Sequence, residues 1–162
     1  MKRLICILLM LPLLSGCGLL AERIKDPVTF YYIRKNYQKD MGSVIASELR
    51  EASGHRDDLS YLLALYSMGP SSEELTSLFP VNSRIFPTEH TKEGIVLSLS
   101  EIPDSMTDAE YSLASACLAL TFMELTEAPQ ITVISEGRSV TINNENIMLY
   151  ETSHQRQLED VK

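Results

Sequence analysis

The clearest hydrophobic pattern in the chain lies in residues 107–142, where one long amphipathic run leads into two short alternating ones. The apolar positions of the long run recur every three or four residues, which predicts one face of a helix. Thr107 and Glu110 have the spacing of a capping box, and Pro129 ends the run. The predicted helical face consists of Leu113, Ala114, Cys117, Leu118, Thr121 and Leu125.

The two runs that follow predict a β-hairpin. Ile131 and Val133 alternate with polar residues, and Val140 and Ile142 do the same. Between them stands Glu136-Gly137, where glycine suits a tight turn that needs positive φ. A helix with one apolar face requires a sheet to cover it, and we expect this hairpin to supply part of that sheet.

Other strands are predicted earlier in the chain. Residues 28–34 are rich in β-branched and aromatic side chains, and residues 95–100 alternate between apolar and mostly polar positions. Residues 43–49 favour a strand that pairs with the first, although Ala46, Glu48 and Glu51 also fit a helical turn. Residues 81–90 are expected to form a connection or a short strand, since Pro87 limits pairing.

Two short helices are predicted before the long one. The first spans residues 58–68, begins at Asp57 or Asp58, and ends at Gly69-Pro70. The second spans residues 71–78, because Ser71 and Glu74 repeat the capping-box spacing. Together these elements predict an α+β fold, with a small antiparallel or mixed sheet and helices packed on one of its faces.

The first sixteen residues have the features of a signal peptide: a positive end, then an apolar run too short to span a membrane. Leu14, Ser15 and Gly16 precede Cys17 in the order of a bacterial lipobox, so the pattern resembles a lipoprotein signal. Cleavage would leave Cys17 as a lipidated N-terminus, and two acyl chains hold a protein stably at a bilayer. The alternative is an ordinary secretory signal that contains a cysteine.

Charge and cysteine usage narrow the function classes. The formal net charge is −8, and cleavage would make it more negative, which disfavours nucleic acid and anionic lipid headgroups as partners. Cys117 is expected to be a buried apolar residue, and no disulfide framework is available. His55 lies in a polar loop without metal-ligand spacing. We therefore predict no metal, no cofactor and no catalytic residue.

Two stretches resemble the GerM domain family. Residues 61–65, Gly69-Pro70 and Pro80 resemble a first signature of helix, Gly-Pro break and proline. Residues 125–129, followed by a strand, a turn and a strand, resemble a second. The likeness covers residues 28–149. The turn differs, since it has Glu136-Gly137 where Asp-Gly is common, and the chain holds one such domain where the sporulation member of the family resembles a tandem pair.

The resemblance implies an α+β fold similar to ring-building motifs, in a lipoprotein that is not an enzyme and helps to assemble a sporulation, germination or envelope complex. It implies protein partners and allows a homo-oligomer. The expected organisation is a signal peptide (1–16), a lipidated N-terminus and tether (17–27), the domain (28–149) and a polar tail (150–162), on the extracytoplasmic side of the cell membrane. The alternatives are an enzyme or accessory protein of peptidoglycan remodelling, or a lipoprotein that binds a small molecule.

Overall fold

The computed structural model describes residues 24–36, 43–81, 83–100 and 102–147. Seven strands and two helices of more than one turn lie within these ranges. In chain order they are β1 (Pro27–Arg34), β2 (Ile45–Glu51), α1 (Leu59–Ser67), β3 (Leu75–Thr76), β4 (Ile85–His90), β5 (Ile95–Leu99), α2 (Asp108–Thr126), β6 (Gln130–Ser135) and β7 (Arg138–Asn143). The α+β class predicted from the sequence is confirmed.

The strands form two sheets rather than one. The first is antiparallel, in the order β2-β1-β3, and the second has the order β4-β5-β6-β7. In the second sheet β5 and β6 are parallel, while the outer pairs are antiparallel. Parallel neighbours need a crossover connection, and α2 provides it. The sheet is therefore mixed, and the hairpin predicted around Glu136-Gly137 forms one half of it.

The long helix joins the two sheets. It contacts β1 of the first sheet and β6 and β7 of the second. Because α2 has neighbours on several sides, its buried surface is wider than the predicted stripe. Leu113 and Leu125 are only half-buried, whereas Ala114, Cys117, Leu118 and Thr121 are buried as predicted. Its other buried residues are Tyr111, Ser115, Ala116, Ala119 and Phe122.

Both ends of α2 follow from local sequence. Thr107 and Glu110 form the predicted capping box: the Glu110 amide donates to the Thr107 hydroxyl over 3.2 Å, and the Glu110 carboxylate accepts from the Thr107 amide over 2.8 Å. The hydrogen bonds that the Glu110 carboxylate accepts from the amide and the hydroxyl of Thr107 lower its pKa. The helix ends at Thr126, and Glu127 caps it in the left-handed conformation, with Pro129 shortly beyond.

The other turns and caps also match the sequence signals. Asp58 is the N-cap of α1, and its carboxylate accepts from the Tyr61 amide over 3.0 Å. In the β6–β7 turn Glu136 and Gly137 both have positive φ, 46° and 82°. That conformation suits the twist of a two-residue hairpin. Residues 45–51 form a strand, so the alternative of a helical turn there is wrong.

One predicted helix is absent. Residues 71–78 form a bend followed by the two-residue strand β3, because the amides expected to start a helix bind a carboxylate from β2. Residues 85–90 form a full strand, and the chain accommodates Pro87 at an irregularity in the pairing with β5.

The predicted lipidation motif at Leu14, Ser15, Gly16 and Cys17 lies outside the described residues, and so does the predicted tail beyond residue 150. No helix within the described ranges combines the length and apolar character needed to cross a membrane.

Candidate interaction surfaces

A charged pair on β2 binds the turn that follows α1. The carboxylate of Glu48 accepts hydrogen bonds from the amides of Ser71 and Ser72 over 2.9 Å. The guanidinium of Arg50 lies 3.2 Å from the same carboxylate and donates to the carbonyl of Gly69 over 2.9 Å. Both side chains are largely buried, 10% and 14% exposed. We call residues 48, 50 and 69–72 the turn clamp.

Sequence reasoning missed the turn clamp. Glu48 and Arg50 are two residues apart, so their side chains share one face of a strand. Opposite charges at that spacing were the sequence signal that could have indicated an ion pair on β2. The sequence of residues 71–74 fitted a capping box equally well. The long-range carboxylate satisfies the same amides, and the Ser72 hydroxyl instead accepts from the Glu74 amide over 3.3 Å.

The inner edge of β1, the edge away from β2, is closed by side chains. Beyond the short β3, the Tyr31 amide donates to the hydroxyl of Thr121 on α2 over 2.9 Å. The Tyr31 carbonyl accepts from the Tyr66 hydroxyl over 3.2 Å. Side chains from both helices thus take the backbone groups of Tyr31, so a partner strand cannot continue the pairing of β3 along this edge.

The two outer edges of the second sheet are also protected. On β4 the pairing register shifts between Pro87 and Glu89, which disrupts a regular edge. On β7 the side chain of Asn146 folds back, donating to the Thr141 carbonyl and accepting from the Asn143 amide, each over 2.8 Å. Proline, bulges and covering side chains are common means of blocking strand edges.

The outer edge of β2 has none of these features. The strand pairs with β1 without interruption over residues 45–51, contains no proline and no bulge, and has no described strand on its other side. Leu49 on this strand is 57% exposed. Among the strand edges within the described residues, this one is the most open to pairing.

The second sheet also presents a face without charged side chains at its centre. One side carries the core residues, among them Leu97, Val133 and Ile142. Strand alternation places a different set on the opposite side. We call this set the open face: Phe86, Thr88, Glu89, Val96, Ser98, Thr132, Ile134, Ser139 and Thr141.

The open face is partly apolar and accessible. Phe86 is 46% exposed, and Val96 and Ile134 are half-buried. Two of its threonines are hydrogen-bonded to each other, with 2.9 Å between the hydroxyl oxygens of Thr132 and Thr141. Glu89, which lies opposite Val96, places a carboxylate at the β4 edge of this face. In a chain with a net charge of −8, a surface whose central strands carry no charge is suited to contact with another protein, since charged residues are depleted at interface centres.

The residues considered for chemistry are not brought together. The ring of His55 stacks on Tyr61 at 4.4 Å, and its Nδ1 lies 3.9 Å from the carboxylate of Asp58, the helix cap. No group of three or more metal-ligating side chains exists within the described residues. His90 and Glu73 are both exposed.

The cysteine that α2 contributes is buried, as predicted, and burial raises the pKa of the Cys117 thiol to about 12. It borders a crevice that is too narrow to hold a water molecule. Tyr32, Tyr66 and Phe79 also line this crevice. The space does not accommodate a small-molecule ligand.

Comparisons with known proteins give fold similarity only. No protein family matches the sequence, and no curated protein matches it either. Among solved structures, the chain is similar to a predicted lipoprotein from Clostridium perfringens, with 15% identity and a TM-score of 0.46 over 79% of this chain and 94% of that one. It is also similar to the tandem GerMN domains of the sporulation protein GerM from Bacillus subtilis, with 18% identity and a TM-score of 0.47.

The second of these matches covers 80% of this chain and 45% of the other, so this chain spans under half the length of that tandem protein. A GerM domain pair is thus among the structures that the chain is similar to. The similarity concerns the fold, and it does not assign the role of either protein to this chain.

Proposed function

We propose that the chain is a lipid-anchored, extracytoplasmic module that binds another protein and catalyses no reaction. The open face of the second sheet is the observation that carries the proposal. It holds Phe86, Val96 and Ile134 among serines and threonines, and its charged side chain, Glu89, lies on the edge strand β4. An accessible, partly apolar face of this kind is typical of a protein-binding surface.

The anchor is proposed from the sequence at residues 14–17. With Cys17 lipidated, the domain would be held at the bilayer by acyl chains. The acidic composition would keep the fold away from anionic headgroups, leaving its surfaces available to proteins. A tethered module needs only moderate affinity, because anchoring to a shared membrane raises the effective concentration of its partner.

The partner proposed for the open face is a protein of a sporulation, germination or envelope complex with an uncharged, partly apolar surface. Contact with a charged surface would leave charges opposite apolar side chains without compensation, which costs free energy. A similar uncharged surface avoids this cost. The resemblance to GerM domains motivates the sporulation or envelope setting.

The test is a crosslinking and affinity purification of the tagged full chain from its own cells, comparing wild type with Ile134→Lys. We expect envelope or sporulation proteins to be recovered with wild type and lost with the variant, since the lysine places a charge at the centre of the open face. Ser60→Lys is the matched control, because Ser60 is exposed on α1. Recovery of the same proteins with Ile134→Lys, or of none with wild type, would contradict the proposal.

A further inference from the structure

The outward backbone groups of β2 can be assigned from its contacts with β1. The Arg34 amide donates to the Val44 carbonyl over 2.9 Å, and the Ala52 amide donates to the Asp26 carbonyl over 3.1 Å. Even-numbered residues of this segment therefore point their backbone groups toward β1. Because backbone direction alternates along a strand, the amides and carbonyls of Ile45, Ser47 and Leu49 point outward.

The side chains of the same three residues lie on one face of the strand. Glu48 is opposite Phe30, a core residue, so the core face of β2 carries the even-numbered positions. Ile45, Ser47 and Leu49 lie on the outer face, where Ser47 and Leu49 are exposed and Ile45 is half-buried. An apolar residue thus stands two positions on either side of an exposed serine.

This arrangement is complementary to itself. We propose that β2 pairs antiparallel with β2 of a second copy of this chain, with a two-fold axis at Ser47. In this register Ser47 lies opposite Ser47 of the second copy, and Leu49 lies opposite Ile45 of that copy. Each of these positions has outward backbone groups, so each opposing pair exchanges two N–H···O=C bonds.

The charged residues of β2 are compatible with this register. On the core face Glu48 lies opposite Ala46 of the second copy, and Arg50 lies opposite Val44. Glu51 falls opposite Ser43. No like charges are directly opposed, which would destabilise the pair. Glu48 and Arg50 are already paired with each other and with the turn clamp, so the dimer leaves no new charge unpaired.

The pairing would extend the first sheet across the two copies, in the order β3-β1-β2-β2-β1-β3. It would cover Leu49, the large apolar side chain that this face exposes most. The other described edges do not offer this arrangement. β3 has only two residues, and the Tyr31 backbone beside it is bound by Thr121 and Tyr66. β4 is irregular at Pro87, and Asn146 binds the edge of β7.

Disulfide trapping in the full chain tests the register. Opposed residues of a hydrogen-bonded antiparallel pair have Cα atoms about 5.5 Å apart, which is within the range of a disulfide. Ser47→Cys should therefore give a crosslinked species of twice the mass on a non-reducing gel, formed by oxidation of two thiols with an added oxidant. The wild-type chain measures the background from the native cysteines.

Ser43→Cys and Ser139→Cys are the matched controls. Both serines are exposed, but the register places Ser43 far from its counterpart, and Ser139 lies on β7. We expect little crosslinking from either. Adding Leu49→Arg to Ser47→Cys should remove most of the product, because the arginine faces Ile45 of the second copy.

Equal yields from the three cysteine variants would indicate random collision and overturn the proposal. So would the absence of product from Ser47→Cys in protein whose thermal unfolding matches wild type. The proposed function is tested through Ile134 on a different sheet, so each of the two proposals can fail while the other stands.

Discussion

The carboxylate of Glu48 and the guanidinium of Arg50 lie 3.2 Å apart on β2, and both bind the turn that follows α1. The guanidinium also lies 5.9 Å from the ring centroid of Phe30 in the core. This pair therefore links three parts of the fold: an edge strand, the core of the first sheet, and the Gly69-Pro70 turn. Pairing largely buried charges with each other and with backbone groups offsets their desolvation.

Replacing Glu48 with alanine should lower the free energy of unfolding. The change removes the acceptor of two amides and leaves a largely buried guanidinium without its partner, at a cost of about 2–4 kcal/mol. Urea unfolding followed by circular dichroism measures it. Glu51→Ala is the control, since Glu51 is exposed on the same strand and should change stability by less than about 0.5 kcal/mol. Equal effects of both substitutions would contradict the role given to the turn clamp.

Thr121→Val tests the closure of β1 by α2. The Thr121 hydroxyl accepts from the Tyr31 amide and donates to the Cys117 carbonyl, each over 2.9 Å. Valine keeps the shape but offers no acceptor to that amide, so we expect a loss of about 1–3 kcal/mol. Thr121→Ser should retain most of the stability. Wild-type stability in Thr121→Val, with a loss only in Thr121→Ser, would show that packing of the methyl group, rather than the hydroxyl, stabilises this contact.

Gly94 should not tolerate a side chain. Its φ is +153°, and an added Cβ would lie 2.5 Å from the backbone oxygen of Gln130, the first residue of β6. Gly94→Ala must displace the start of β6 or strain the backbone, and we expect a cost of about 3 kcal/mol. Gly54→Ala is the control: φ is +81°, but nothing lies within 4 Å, so only conformational strain of about 1 kcal/mol applies. Similar costs would be inconsistent with a close approach at Gly94.

Stability should decline at alkaline pH. Burial raises the pKa of Cys117 from 9.0 to about 12 and raises the pKa of Tyr66 and Tyr111 above 10.0. The unfolded chain releases these protons first, so the folded state loses stability as pH rises above 9. The thiol alone should lower the free energy of unfolding by about 2 kcal/mol between pH 8 and 10.5. Urea unfolding of wild type and Cys117→Ala at pH 8 and 10.5 measures how much of the decline is due to the thiol. An equal decline of the free energy of unfolding in the two proteins would contradict the prediction.

Local signals in the sequence predicted much of the fold. The capping box at Thr107, the N-cap at Asp58 and the turn at Glu136-Gly137 act within a few residues, so the sequence alone indicates them. The alternation of residues 95–100 predicted β5, which spans Ile95–Leu99, for the same reason. In each of these elements, the residues that determine the local conformation lie within the element itself or next to it.

The differences arise from contacts between distant parts of the chain. Ser71 had a capping signal, but a carboxylate 23 residues away binds its amide instead. Thr121 was predicted to lie on the buried helical face, yet its hydroxyl closes a strand edge 90 residues away. The division into two sheets likewise depends on α2 lying beside β1, which hydrophobic periodicity does not specify. The open face was not predicted, because the outward positions of these strands were interpreted as mostly polar and no contact was assigned to them.

The most direct test of the central claim, that this module works tethered to a membrane, is the mass of the N-terminal peptide from the mature protein. We predict a peptide that begins at Cys17 and carries a diacylglyceryl thioether, recovered from the membrane fraction, with Cys17→Ser released from the membrane or retaining its leader. An unmodified Cys17 in protein recovered from the cytosol, with residues 1–16 still attached, would contradict the account.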